Sequence, residues 1–168
     1  TESLASRAKM ANTGANVIIG GFEVHGTNNK YHAIVMNPPF GQAGSLALTH
    51  VKKAFDHLYD GGRIVAIIPR GSMDDKFSDW IADEKEAYVF GEISLPQSTF
   101  RNAGTGVNTR IVIIERHSNP EDAPNYPRNM NFSHAESPEQ LFEMIRHAQV
   151  KPRKLRIDEQ LDRYGLYM

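Results

Sequence analysis

Apolar positions along this chain follow two periods, and the switches between them mark out its elements. Continuous apolar runs at Val17-Ile18-Ile19, Ala33-Ile34-Val35-Met36 and Ile64-Val65-Ala66-Ile67-Ile68 predict buried strands, the second entered from Tyr31. Between the last two, Leu48, Val51, Phe55 and Leu58 recur at helical spacing and predict a helix from about Ser45 to Tyr59, which Gly61-Gly62 ends. A second stripe, Phe77, Trp80 and Ile81, predicts a helix from about Asp74 to Glu84; Trp80 reads as core and Asp74-Asp75 as carboxylates at the helix's positive end. Tyr88 to Leu95 and Thr109 to Glu115 read as two strands joined by a Gly-rich connection with no helix between them. Leu4 to Ala11 reads as a helix stopped by Asn12-Thr13-Gly14. Ser118 to Arg128, with three prolines, reads as loop. Ser137-Pro138-Glu139-Gln140 opens a further helix, with a capping Ser, Pro at the first helical position and Gln in capping-box register, and with Leu141, Ile145 and Ala148 as its apolar face. A charged tail with room for another short helix follows Pro152.

Strands alternating with helices predict an α/β fold with a mostly parallel sheet covered on both faces. The final pair of strands predicts an antiparallel hairpin at one edge. In such open sheets ligands sit beyond the carboxyl ends of the strands, which is where Asn37 falls.

A chain of 168 residues is long enough to fold around its own core. Its net charge of -1 gives no global basic field to draw in nucleic acid, although Lys151, Arg153, Lys154 and Arg156 form a local basic cluster. The absence of cysteine excludes disulfides and Cys-based zinc sites and suits a cytoplasmic setting. The seven histidines show no ligand spacing, so no metal is expected, and no apolar run approaches the about 20 residues of a membrane span.

The chemistry is concentrated at Asn37-Pro38-Pro39-Phe40, immediately after an apolar strand. Two prolines lack N–H groups and fix φ, so the loop is stiff and presents free carbonyl oxygens. An Asn side-chain oxygen beside a Pro carbonyl makes two acceptors suited to a planar amino group, and Phe40 can stack on a flat ring. Further along, Gly104 and Gly106 permit close approach of backbone to a ligand, and Phe100 offers a second aromatic wall.

The motif resembles that of class I S-adenosylmethionine-dependent amino-methyltransferases, specifically the adenine-N6 DNA enzymes with Asn-Pro-Pro-Phe/Tyr/Trp. Ile93-Ser94-Leu95-Pro96 through Phe100, Gly104-Thr105-Gly106-Val107-Asn108-Thr109 and Ile111 to Arg116 resemble the strand 6 to strand 7 segment of type I restriction-modification subunits. The resemblance implies a Rossmann-like sheet of family order 3-2-1-4-5-7-6 with strand 7 antiparallel. Residues 17–19 would then be strand 3, followed by strands 4 and 5 and a closing 6–7 hairpin. It implies Asn37, Pro38 and Phe40 as catalytic residues that polarise the amino nitrogen of a flipped adenine and stack on its ring. Pro39, Phe100, Gly104 and Thr105 are implied around the base. S-adenosylmethionine would be the cofactor, with Gly21, Phe22, Glu23 and Asn37 near it, and DNA the substrate.

The resemblance covers residues 1 to about 116. The chain divides on this reading into a methyltransferase-like part, 1–117, and a loop and helical extension, 118–168. No strand followed by a Gly-rich loop precedes Asn37, and Glu2 is the only candidate remnant of a ribose-binding acid. Strand 3 is therefore expected to pair with strand 4, or a second chain or an N-terminal segment to complete the sheet. A non-catalytic interaction module or partner subunit is the alternative. Another keeps methylation but moves it to protein glutamine or RNA bases; glutamine-modifying relatives usually end the motif in Tyr, so Phe40 favours adenine.

Overall fold

The computed structural model describes residues 10, 12–18, 20–26, 28, 30–96, 107–123, 128–132 and 134–147. Five strands form one sheet: β1 (Tyr31–Met36), β2 (Leu58–Pro69), β3 (Ala87–Ser94), β4 (Thr109–Arg116) and β5 (Arg128–Asn131). Their order across it is β1-β2-β4-β3-β5. β1 and β2 are parallel, β4 is antiparallel to both β2 and β3, and β5 is parallel to β3. Only β4 therefore opposes the common direction. The expected α/β architecture holds, and β1-β2-β4-β3 reproduces the expected 4-5-7-6 order.

The sequence explains this core. Ile64 to Ile68 and Ile111 to Ile114 are largely β-branched, which suits pleated strands covered on both faces. They pair with each other, Ile64 opposite Ile114 and Ala66 opposite Val112. Alternation then splits the core into two layers. Ile64, Ala66, Ile68, Val112 and Ile114 face helices α1 (Ser45–Asp56) and α2 (Asp74–Asp83), which contribute Val51, Phe55 and Phe77. Val65, Ile67, Ile111 and Ile113 face the other way, toward Leu141 and Ile145 of α3 (Pro138–His147). Trp80 packs edge-on against Phe55 and Phe77, as its stripe predicts. At the start of α3 the Ser137 hydroxyl accepts the Gln140 N–H at 3.1 Å, so the expected cap is present. No described helix is long and apolar enough to cross a membrane.

Three expectations need correction, and one strand was unforeseen. The α1 helix stops at Asp56, and Leu58, expected on its stripe, begins β2 as a buried strand residue. The glycine pair does not stop a helix; it lies inside β2, where the register with β1 jumps from Tyr31↔Leu58 to Ala33↔Arg63. Val17 and Ile18 have no regular structure and do not pair with β1, and Ile18 is 58 % exposed. Finally, β5 was not visible as a strand, because Arg128-Asn129-Met130-Asn131 has no apolar period and takes its form from pairing with Gly91 to Ser94. The expected helix at Leu4 to Ala11 falls almost wholly, and the charged tail entirely, outside the described residues.

One buried charge cluster ties β2 to β4. The Arg63 guanidinium bonds Glu115 Oε1, through Nε at 2.8 Å and through Nη2, and stands 4.5 Å over the Phe90 ring. His117 Nε2 meets the other Glu115 oxygen at 2.8 Å. Burial raises the Glu115 pKa, but hydrogen bonds from His117 and Arg63 outweigh it and hold the carboxyl below its ordinary value of 4.5. A carboxylate with a depressed pKa stabilises the fold fully above its unfolded pKa, and that contribution is lost as pH falls through the folded value. Acid titration of the melting temperature should thus steepen below about pH 4.5 in the wild type and be shallower in Glu115→Gln. Glu115→Ala, which leaves Arg63 buried without its carboxylate, should cost about 3–5 kcal/mol at neutral pH.

Candidate functional site

The end of β1 delivers the motif to the carboxyl edge of the sheet. Asn37 is exposed, Pro38 buried, Pro39 exposed and Phe40 half-buried. Pro38 anchors the loop while Asn37 stays accessible, since prolines stiffen the chain without needing backbone donors satisfied.

Beyond the motif the chain turns sharply into α1. Gly41 has φ 67° and ψ -166°, a region essentially confined to glycine, and a β-carbon there would lie 2.5 Å from Leu46 Cβ. Ala43 also has a positive φ, 52°. A β-carbon on Gly44 would meet Pro69 Cγ at 2.8 Å, so the end of β2 braces this turn. Pro69 packs against Gly44 at the far end of this turn, while Arg70 Nη2 donates to the Ser94 hydroxyl at 2.8 Å.

Asn37, Pro38 and Pro39 line a cavity of about 470 Å³ together with Gly21, Glu23 and His50. Phe22 and the β1 residues Ile34, Val35 and Met36 add its apolar wall. A neighbouring cavity of about 460 Å³ continues along β1 past Ala33, Ile34 and Val35, with Ile18 and Gly20 opposite. Successive strand side chains point to opposite faces, so spaces touching three in a row lie along the hydrogen-bonding edge of β1.

Glu23 belongs to a 3-10 turn, Phe22–Val24. His50 Nε2 contacts Glu23 Oε1 at 2.7 Å, and Lys53 Nζ donates to the Glu23 carbonyl at 2.7 Å. Its own backbone N–H and then the His50 bond hold the Glu23 carboxyl below the ordinary value. The site therefore presents amide and carbonyl acceptors from the motif and an ionised carboxylate from the opposite wall. Such a set recognises neutral N–H and O–H donors on a partly apolar molecule.

The structure brings six of the sequence-derived residues around one cavity: Gly21, Phe22, Glu23, Asn37, Pro38 and Pro39. Phe40 is not on its lining; it packs against the core beside α1, and its carbonyl accepts the Ala47 N–H at 3.4 Å. Phe100, Gly104 and Thr105 lie outside the described residues. His50 was missed. Its signal was a polar residue at three and four positions from Ala47 and Ala54, on the buried face of α1. Among the described residues no cluster of three or more His, Asp or Glu side chains could hold a metal.

Neither protein-family models nor curated proteins give a match to this chain. Solved structures do. An inferred class I S-adenosylmethionine-dependent methyltransferase from Listeria monocytogenes superposes with a TM-score of 0.55 at 15% identity, over 81% of this chain and 44% of that one. A chain from a structure of complex assembly in the type I R-M system gives 0.50 at 18%, over 82% and 37%. A modification subunit of an inferred type I restriction enzyme from Vibrio vulnificus YJ016 gives 0.50 at 16%, over 79% and 34%. The fold is that of class I methyltransferases, and the chain spans less than half the length of these structures.

Gly41→Ala tests how far the motif depends on its turn. Backbone strain alone should cost about 1–3 kcal/mol, and the Leu46 clash adds to it. The expected result is a clearly lower melting temperature than for Gly71→Ala; Gly71 also has a positive φ but open space around it.

Proposed function

We propose that this chain forms the base-pocket part of an S-adenosylmethionine-dependent adenine-N6 DNA methyltransferase. The observation that carries the reading is the placement of Asn37 and Pro38 at the carboxyl end of β1, in one cavity with the Glu23 carboxylate. In this reading the Asn37 amide oxygen and the Pro38 carbonyl accept the two hydrogens of the adenine amino group. They turn its lone pair toward the methyl group and stabilise the positive charge that grows on nitrogen. Bound S-adenosylmethionine supplies the methyl as an electrophile, so no metal or covalent nucleophile is needed. The proton lost from the amino nitrogen passes through the exposed acceptors to water. An adenine must leave its stack to present its amino group to Asn37, and Phe40, packed on the core off the cavity lining, braces the loop that carries Asn37. The cofactor's nucleoside fits the Phe22 and Glu23 wall.

A second reading is favoured by the β1 edge: Val35 is 83 % exposed there and Tyr31 38 %. An open apolar edge calls for another strand. On this reading the chain is an interaction module or partner subunit whose sheet is completed by a further segment.

Binding and turnover test the first reading in two steps. This chain alone, with no Gly-rich loop before Asn37, should bind S-adenosylmethionine far more weakly than low micromolar, since each missing charge-assisted hydrogen bond removes about 1.5–3 kcal/mol. A low-micromolar dissociation constant by calorimetry would overturn that expectation. In an assembly that transfers methyl to DNA, Asn37→Ala should slow single turnover about 100–1000-fold with melting temperature and cofactor affinity nearly unchanged. Wild-type rates in that variant would make Asn37 a turn residue and remove the catalytic reading.

A further inference from the structure

The carboxylate opposite Asn37 is held by a buried imidazole, although it lies on a turn and is largely open to solvent. One oxygen, Oε1, meets His50 Nε2 at 2.7 Å, and His50 itself is only 5 % exposed, fixed within α1. An ionised carboxylate can only accept, so Nε2 carries the hydrogen of this bond. The other oxygen, Oε2, passes directly over Gly21: a β-carbon there would lie 2.5 Å from it. Lys53, one turn along α1 from His50, ties down the Glu23 carbonyl at 2.7 Å and stands 5.7 Å over the Phe22 ring. Phe22 in turn meets the His50 ring edge-on at 5.5 Å. A solvent-facing glutamate has several rotamers to choose from, and here buried and backbone groups select one that faces the cavity.

We propose that His50 is a positioning residue, which with Gly21 aims the Glu23 carboxylate at a hydrogen-bond donor of a nucleoside bound beside Asn37. The inference rests on the reading that this cavity takes the cofactor's nucleoside. It adds that recognition depends on a buried helix residue acting through the Glu23 carboxylate. The physical reason is preorganisation: a carboxylate already held in its binding rotamer loses less conformational freedom on binding. A donor on the ligand can be the purine amino group or a ribose hydroxyl, and both offer the same neutral hydrogen to Oε2.

The test is titration of the full chain with S-adenosylhomocysteine, adenosine, purine riboside and 2′,3′-dideoxyadenosine, followed by two-dimensional amide NMR up to millimolar ligand. The proteins are wild type, His50→Leu, His50→Gln and Glu23→Gln, with melting temperatures measured alongside. His50→Leu should weaken S-adenosylhomocysteine about tenfold, the scale of one charge-assisted hydrogen bond. His50→Gln keeps a side-chain N–H donor and should recover most of that loss. In wild type one analogue should bind worse than adenosine, purine riboside if the amino group is the donor and the dideoxynucleoside if a hydroxyl is. That discrimination should shrink in both His50→Leu and Glu23→Gln, a readout that loss of packing alone would not move. If His50→Leu keeps wild-type affinity and discrimination, His50 merely fills the helix face and the proposal fails while the cofactor reading stands. Absence of any shift in wild type overturns the cofactor reading, and this proposal with it.

Discussion

Because β2 and β4 are covered on both faces, their antiparallel register decides where every other element can sit. Seven residue pairs, from Arg63↔Glu115 to Pro69↔Thr109, lock these strands together. A one-residue slip would turn Ile64, Ala66 and Ile68 from the α1 layer to the α3 layer and expose the wrong set. The charge cluster at one end of the ladder makes such a slip worse, since Arg63 would lose Glu115 inside the protein. With that ladder fixed, β1 has one free edge of β2 to pair with, and α1 must return over the same face. Those two demands place Asn37 at the sheet's carboxyl end and bring His50 behind Glu23.

How much of this was legible depended on whether an element carries its own reason to exist. The runs 33–36, 64–68 and 109–115 do so, because their apolar content exceeds what a loop can hide, and all three are strands. The motif was legible for the same reason, as an abrupt change from apolar strand to Asn-Pro-Pro. Elements that borrow their form from a neighbour were not. Arg128 to Asn131 becomes a strand only by lying beside β3. Val17-Ile18 has strand composition but pairs with no strand among the described residues, and so is not one. Gly61-Gly62 carries the same local signal for a helix stop and for a bulge, and only the jump in register between β1 and β2 tells them apart. His50 followed a similar rule: its burial was written in the helix period, while the carboxylate it faces came from 27 residues away.

Phe40 sits differently from the residues before it. The turn at Gly41 brings the backbone so close to Leu46 that Phe40 lies against the core beside α1, off the lining of the Asn37 cavity. Held there, the ring fixes the far end of the loop that begins with Asn37, and the loop's stiffness comes from both ends.

The two walls of the cavity have unequal support. The motif wall continues a strand in a five-stranded sheet, while the Glu23 wall is a short turn with no strand of its own. That turn is kept in place by side chains reaching up from below: His50 and Lys53 from α1, and His57, whose ring lies 5.9 Å from Phe22. His25 stacks on the same His57 at 5.1 Å and meets the Tyr31 hydroxyl at 3.1 Å, joining the turn to the start of β1. The groove between turn and strand follows the open β1 edge. Any strand that paired with that edge would also pack against Phe22 and Gly21. Completion of the sheet and rigidity of the carboxylate wall are therefore linked through the same few residues, on the side of β1 that carries no strand among the described residues.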